Sequence, residues 1–154
     1  MSEPWNEREV RARTALDVLD FLVGTFRVSG EAHGEPFTGT ATGRRILGGT
    51  WLEARERTGD HEELCLYRLE PGIEQVVVEQ LTSPGWRVRY GVLPLQGGGV
   101  HWVPAQLGPR VRLVPCAGGY TAEVTFPGDT APAVVARYAL LPENEGGSRS
   151  DGGS

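Results

Sequence analysis

From Thr25 to Leu141 the chain is cut again and again by turn-forming residues: His33-Gly34, Gly48-Gly49, Gly59-Asp60, Pro71-Gly72, Pro84-Gly85, Gly97-Gly98-Gly99, Gly118-Gly119 and Pro127-Gly128-Asp129. Between the cuts, apolar side chains recur at every second position. Runs of period two, separated by turns about every 8–12 residues, build sandwiches or barrels of antiparallel strands. Ten such runs fall at about 25–32, 36–47, 50–58, 61–69, 73–82, 86–93, 99–104, 110–115, 119–126 and 133–141. No helical pattern interrupts them, which argues against parallel βαβ units. The expected fold is all-β, an antiparallel up-and-down ten-stranded barrel.

One helix is expected ahead of the strands, over residues 6–23. Asn6 suits the N-cap, Glu7 and Glu9 the first turn, and Gly24 the stop. Val10, Leu16, Leu19 and Val23 form its apolar stripe, with Ala15, Val18 and Leu22 beside it. Residues 1–142 read as a single domain. The stretch 143–154 is Gly, Ser and charge, and reads as a disordered tail.

Turn length fixes strand register, and register decides which side chains face the core. A two-residue loop at His33-Gly34 pairs Phe26 with Ala41 and Val28 with Gly39. One at Gly48-Gly49 pairs Leu47 with Thr50, Arg45 with Leu52, and Ala41 with Glu56. Gly59-Asp60 sets Ala54 beside Cys65 and Leu52 beside Tyr67. A three-residue loop at Glu70-Pro71-Gly72 sets Tyr67 beside Gln75 and Cys65 beside Val77. Pro84-Gly85 then sets Leu81 by Val88 and Glu79 by Tyr90.

Chained together, these turns put Phe26, Val28, Phe37, Ala41, Leu47, Leu52, Ala54, Cys65, Tyr67, Leu69, Ile73, Val77, Leu81, Trp86, Val88, Tyr90 and Val92 on the inner face. Arg27, Glu31, Arg44, Glu53, Arg55, Arg57, Arg68, Arg87 and Arg89 fall on the outer one. Beyond Val92 longer loops blur the register. Alternation alone turns Trp102, Val111, Leu113, Tyr120, Val124, Phe126, Val134, Ala136 and Tyr138 inward.

The inner face so derived also carries Arg45, Glu56, Gln75 and Glu79, and small residues in a row at Gly39, Ala41 and Gly43. A close-packed core excludes unpaired charge. A ten-stranded barrel has room for a ligand cavity, which tolerates both features. The candidate ligand-binding residues are therefore Arg45, Tyr67, Gln75, Glu79, Trp86, Tyr90, Trp102 and Tyr138. Arg45 either anchors an anionic group of a ligand or closes an internal ion pair with Glu79 or Glu56.

Composition narrows the function classes. With 15 Lys+Arg, 20 Asp+Glu and a net charge of −5, non-specific nucleic-acid binding is not expected. Every basic residue is arginine, which leaves no lysine for Schiff-base chemistry. No apolar run approaches the ~20 residues of a membrane span, and the polar N-terminus has no signal-peptide pattern. The expected location is cytoplasmic.

Cys65 and Cys116 read as two buried free thiols. His33 and His61 lie in or beside turns and read as solvated, and His101 faces outward beside Trp102. No spacing of His or Cys suggests a metal site. No Gly-x-Ser-x-Gly elbow or nucleotide-binding glycine motif occurs. No cofactor is expected, and a second copy of the chain is the one protein partner considered.

Leu19-Asp20-Phe21-Leu22-Val23-Gly24-Thr25-Phe26, followed by the hairpin Arg45-Ile46-Leu47-Gly48-Gly49-Thr50-Trp51-Leu52-Glu53, resembles a family of bacterial lipocalin-like (calycin-type) proteins of unknown function. The resemblance spans 16 to about 92 and implies fold more than chemistry. More distantly, Gly24-Thr25-Phe26-Arg27-Val28-Ser29-Gly30 is similar to the Gly-x-Trp-x-Gly-x-Gly opening of the nitrobindins, ten-stranded haem-binding barrels. Phe26 stands in place of the Trp and Val28 in place of the next Gly. No C-terminal histidine segment of the haem-ligating kind is present.

The expected function is binding of a small, largely apolar molecule with a polar or anionic end inside the barrel. Two alternatives stand beside it. One is a small barrel enzyme of cyclase or isomerase type, with Glu79 and Tyr90 moving a proton. The other is a haem protein in which His101 is the ligand.

Overall fold

The computed structural model describes residues 5–83 and 85–142, and the tail assigned to 143–154 lies outside them. Ten strands form one closed antiparallel barrel in which every strand pairs with its chain neighbours and β1 closes on β10. They are β1 Gly24–Ala32, β2 Glu35–Ile46, β3 Trp51–Thr58, β4 His61–Glu70, β5 Gln75–Thr82, β6 Trp86–Pro94, β7 Val100–Pro104, β8 Arg110–Cys116, β9 Gly119–Thr125 and β10 Val134–Leu140. The up-and-down topology follows from the short turns, which leave no length for a crossover. The seam between β7 and β8 is the shortest, with three residue pairs, Val100–Trp102 against Leu113–Val111.

The N-terminal helix is not continuous. An α-helix, α1, runs Trp5–Ala15, and a 3-10 segment follows over Leu16–Leu22. The change of pitch is written in the sequence. At three residues per turn, Leu16, Leu19 and Leu22 form one line, and all three are buried. Val10, Val18 and Val23, parts of the expected stripe or its flank, are exposed instead. Asp17 and Asp20 share the same three-residue spacing and stand one above the other. The segment lies across one end of the barrel, and Phe21 meets Tyr120 edge-on at 5.5 Å.

Gly43 is where this plug comes closest to the wall. A methyl group there would overlap the backbone carbonyl of Leu22. The small residues of β2 thus admit the plug's backbone at one end as well as leaving space inside. Gly43→Ala is expected to cost about 2 kcal/mol of stability as an overpacked contact. A urea midpoint unchanged from wild type would show that the Leu22 carbonyl yields instead.

The first three hairpins have the expected register: Phe26 opposes Ala41, Arg45 opposes Leu52, Ala41 opposes Glu56, and Leu52 opposes Tyr67. The Gly48-Gly49 hairpin is looser than a two-residue loop. Its last pair is Ile46 with Trp51, and Leu47 adopts a positive φ of 52°. Leu47 is consequently exposed and leaves the core assignment.

The β4–β5 turn corrects the register. Glu70 pairs with Gln75, so Pro71–Glu74 form a four-residue loop and Tyr67 opposes Val78, three positions past the expected Gln75. Ile73 stays in the loop, exposed. An odd shift reverses the faces of a strand. Val76, Val78, Gln80 and Thr82 face inward, and Gln75, Val77, Glu79 and Leu81 face outward. The run Val76-Val77-Val78 is the cause: three valines satisfy either face, so the apolar pattern does not choose between registers.

The next turn shifts by one more residue, with Thr82 opposing Trp86. The two odd shifts restore the parity, so Trp86, Val88, Tyr90 and Val92 share the expected face, but only Tyr90 and Val92 are buried, while Trp86 is 71% exposed at the open end of β6 and Val88 39%. Trp102, Val111, Leu113, Tyr120, Ala136 and Tyr138 are buried in the core, with Val124 packed against it.

Candidate functional site

The plugged end of the barrel is filled. Arg45 leaves β2 toward the interior and is captured there by the N-terminal segment. Its Nη2 donates to Asp17 Oδ1 and Asp20 Oδ1, both at 2.8 Å, and its Nη1 donates to the carbonyls of Arg13 at 2.9 Å and Gly49 at 3.2 Å. Arg45 therefore closes an ion pair at the plugged mouth of the barrel, with largely exposed aspartates of the plug rather than with Glu79 or Glu56. Its guanidinium is engaged in holding the plug.

Polar groups gather in the other half of the interior. Glu56 of β3 and Glu63 of β4 are direct cross-strand partners on the face that carries Cys65 and Tyr67. Tyr138 donates its hydroxyl to Glu56 Oε1. Gln80 donates from Nε2 to Glu63 Oε1 at 2.8 Å, and Tyr90 donates to Gln80 Oε1 at 3.3 Å. Cys65 Sγ lies 3.6 Å from Glu63 Oε2. Behind them Tyr138 stacks on Tyr120 at 4.2 Å.

Burial dominates the titration of this cluster. It pushes the Glu56 carboxyl up to about 7, with the neighbouring Glu63 adding to the rise and the Tyr138 hydroxyl opposing it. Burial also raises Glu63, against the hydrogen bond from Gln80. The Cys65 thiol and the Tyr138 phenol are pushed well up for the same reason. Each carboxyl thus keeps its proton to higher pH than an exposed glutamate does.

Two cavities open on this half. One, of about 570 Å³, is lined by Gln80, Thr82, the 86–90 stretch of β6 with Arg87 and Arg89, the 104–109 loop and Phe126. Trp86, Val88, Leu107 and Phe126 give it apolar walls, and Gln80, Tyr90, Thr82, Gln106, Arg87 and Arg89 supply polar groups. The other, of about 550 Å³, is bounded by Glu56, Glu63, Thr82 and Trp86 and by outer-face residues including Arg55, Arg57 and Arg87. Thr82, Trp86 and Arg87 belong to both.

The expected site residues separate into groups. Trp86 and Tyr90 line the first cavity. Tyr138 reaches the cluster through Glu56. Tyr67 and Trp102 are buried and meet edge-on at 5.9 Å, and Trp102 Nε1 has no hydrogen-bond partner. Gln75 and Glu79 are corrected to the outer face. Gln75 covers Gly91 there, and Glu79 accepts from Arg87 Nε at 2.8 Å. Glu79 and Tyr90 thus lie on opposite faces of the wall.

His101 pairs with outer-face Arg112, on the side expected. His33 stacks on Phe126 at 5.8 Å. Cys65 is a buried free thiol as expected, but Cys116 is exposed, with Arg137 Nη1 3.4 Å from its sulfur. Among the described residues no group of three or more His, Cys, Asp or Glu side chains is placed to hold a metal ion. No helix among them is long and apolar enough to cross a membrane.

Two members of the cluster escape the sequence reading. Glu63 follows Glu62 and looks like part of a solvated charged pair, although alternation from Cys65 points it inward. Gln80 is hidden by the valine run that reverses β5. The chain matches no known family model and no curated protein. Its closed ten-stranded antiparallel barrel is compatible with a lipocalin-like or calycin-like fold.

Proposed function

We propose that this protein is a cytoplasmic carrier or sensor that binds a small, largely apolar molecule in the unplugged half of its barrel. The observation that carries the reading is the cavity of about 570 Å³ walled by Trp86, Val88, Phe126 and the 104–109 loop, with Gln80, Tyr90, Arg87 and Arg89 among its polar groups. Ligand sites of this kind are mostly apolar concavities with a few placed polar groups. Burial of the ligand's apolar surface supplies affinity, and the amide and phenol orient it. Free thiols at Cys65 and Cys116 suit a reducing compartment.

The test is direct titration with the neutral fluorescent probe N-phenyl-1-naphthylamine. One-to-one binding is expected, and Val88→Trp, which fills the cavity, is expected to weaken it about tenfold. Binding that Val88→Trp leaves intact would place the probe elsewhere, and absence of binding would remove the reading. Native mass spectrometry of protein purified from its own host identifies a retained ligand.

A further inference from the structure

Resting on that reading, we propose that Glu63 sets which end of a hydrogen bond the cavity offers its ligand. Ionised, it leaves the Tyr90 hydroxyl an acceptor only; protonated, it leaves that hydroxyl free to donate, and the Gln80 amide relays the change. The ligand favoured in the protonated state is one whose polar end only accepts, such as a ketone.

The chain of contacts carries the inference. Gln80 and Tyr90 line the cavity of about 570 Å³, and Glu63 borders the adjoining one. Gln80 links the two: its Nε2 donates to Glu63 Oε1 at 2.8 Å, and its Oε1 accepts from Tyr90 at 3.3 Å. An ionised carboxyl only accepts, so the amide turns its NH2 toward Glu63 and its oxygen toward Tyr90. The one phenolic proton of Tyr90 is then engaged with Gln80, and its oxygen is left to a ligand as an acceptor. A protonated Glu63 has an O–H to place. Among the described residues its hydrogen-bond partners are Gln80 and the Cys65 thiol, and sulfur is a weak acceptor. The proton therefore takes the Gln80 oxygen, the amide turns over, and its NH2 donates to Tyr90. The phenol's own proton is then free for the ligand.

The groups that face Glu63 leave it as the switch. Across the β3–β4 pair stands Glu56, bonded to Tyr138 of β10. Cys65 and Tyr67 face it from β4, Tyr90 from β6 and Tyr120 from β9. Burial holds the thiol and these phenols above their ordinary values, so they keep their protons through neutral pH. Burial, the largest influence on Glu63 itself, favours its protonated form, and His61 at the exposed rim of β4 favours the ionised one. Glu56 also titrates near neutrality, but its hydrogen bond runs to Tyr138 and away from the relay. The arginines that border the two cavities stand on the outer face, Arg55 with Glu53, Arg57 with Glu62, Arg87 with Glu79 and Arg89 with Glu70. They keep their charge throughout and add no change with pH.

The experiment displaces N-phenyl-1-naphthylamine from the full chain with 2-octanone and with 2-octanol, at pH 5 and at pH 8.5. The two probes differ only at the polar end: the ketone accepts, and the alcohol both accepts and donates. The affinity of the ketone relative to the alcohol is expected to fall about fivefold from pH 5 to pH 8.5, the worth of one hydrogen bond. Taking the ratio at each pH removes any effect of pH on the dye or on the fold. Tyr90→Phe, which removes the hydroxyl, and Glu63→Gln, which removes the charge, should each give a ratio that does not move with pH. Glu56→Gln should keep the change. A ratio already flat in the wild type, or still moving in Tyr90→Phe, overturns the relay and leaves the cavity standing. If Glu56→Gln flattens the ratio as Glu63→Gln does, the response belongs to the charge of the pair and the relay falls. If Glu63→Gln does not fold, Tyr90→Phe and Glu56→Gln decide. If the chain binds neither the dye nor the two probes, the cavity reading falls and takes the relay with it.

Discussion

Arg45→Met is expected to lower the stability of this protein by about 3 kcal/mol and to release the 3-10 segment from the end of the barrel. The methionine retains the length of the side chain and removes four hydrogen bonds: two to Asp17 and Asp20 and two to the carbonyls of Arg13 and Gly49. Asp17 and Asp20 are both 63% exposed and return to water at little cost. The two carbonyls and the packing of the plug bear most of the loss. Leu16, Leu19 and Leu22 depend on that docking for their burial. Hydrogen exchange should therefore quicken over residues 16–22 before the strands respond, as local opening does when one unit is loosened. An unchanged urea midpoint with unchanged exchange over the segment would show that the leucines hold the plug without Arg45.

The second large effect is a dependence of stability on pH. In the folded chain the Glu56 carboxyl lies at about 7, against an ordinary 4.5. The folded state therefore holds this proton more tightly than the unfolded one. Below about pH 4.5 both states are protonated and the residue contributes nothing. As pH rises toward 7 the unfolded chain loses its proton first, and folding becomes less favourable. Above about 7 the loss is complete, and the difference between 4.5 and about 7 corresponds to about 3 kcal/mol.

Glu56→Gln keeps the shape and an acceptor for Tyr138 and has no charge to bury. It is expected to match wild type at pH 4 and to exceed it by as much as about 3 kcal/mol at pH 8. Glu63 shifts in the same direction, so some slope should persist in the single variant and diminish in Glu56→Gln/Glu63→Gln. Urea melts across this range check both statements. A single variant no more stable than wild type at pH 8 would mean that Glu56 is hydrated in the folded chain.

The ten strands and most of their pairings are legible in the sequence because tight turns constrain both the strand ends and the register. Phe26 with Ala41, Arg45 with Leu52 and Leu52 with Tyr67 all follow from counting across a turn. Counting fails at Pro71–Glu74, where the loop takes Ile73 out of the strand and Val76-Val77-Val78 offers no contrast between faces. The site was partly readable for the same reason. Glu56 stands out as an acid on an apolar face, and Trp86 and Tyr90 survive because two odd shifts restore their side. Gln80 and the outward turn of Glu79 depend on the one register that the apolar pattern leaves open. The fate of Arg45 was legible in a different signal, the three-residue spacing shared by Leu16, Leu19 and Leu22 and by Asp17 and Asp20, which marks a 3-10 turn rather than an α-helix.

Closure of the ring removes every free sheet edge, so copies of this chain have no strand to add to one another. It also means that the wall yields first where its stitching is thinnest. Between β7 and β8 only Val100–Trp102 and Val111–Leu113 are laced together. Amides on those two strands should exchange ahead of their neighbours. Each such parting would uncover Trp102 and part the wall at its side while the plug at the end stays fastened.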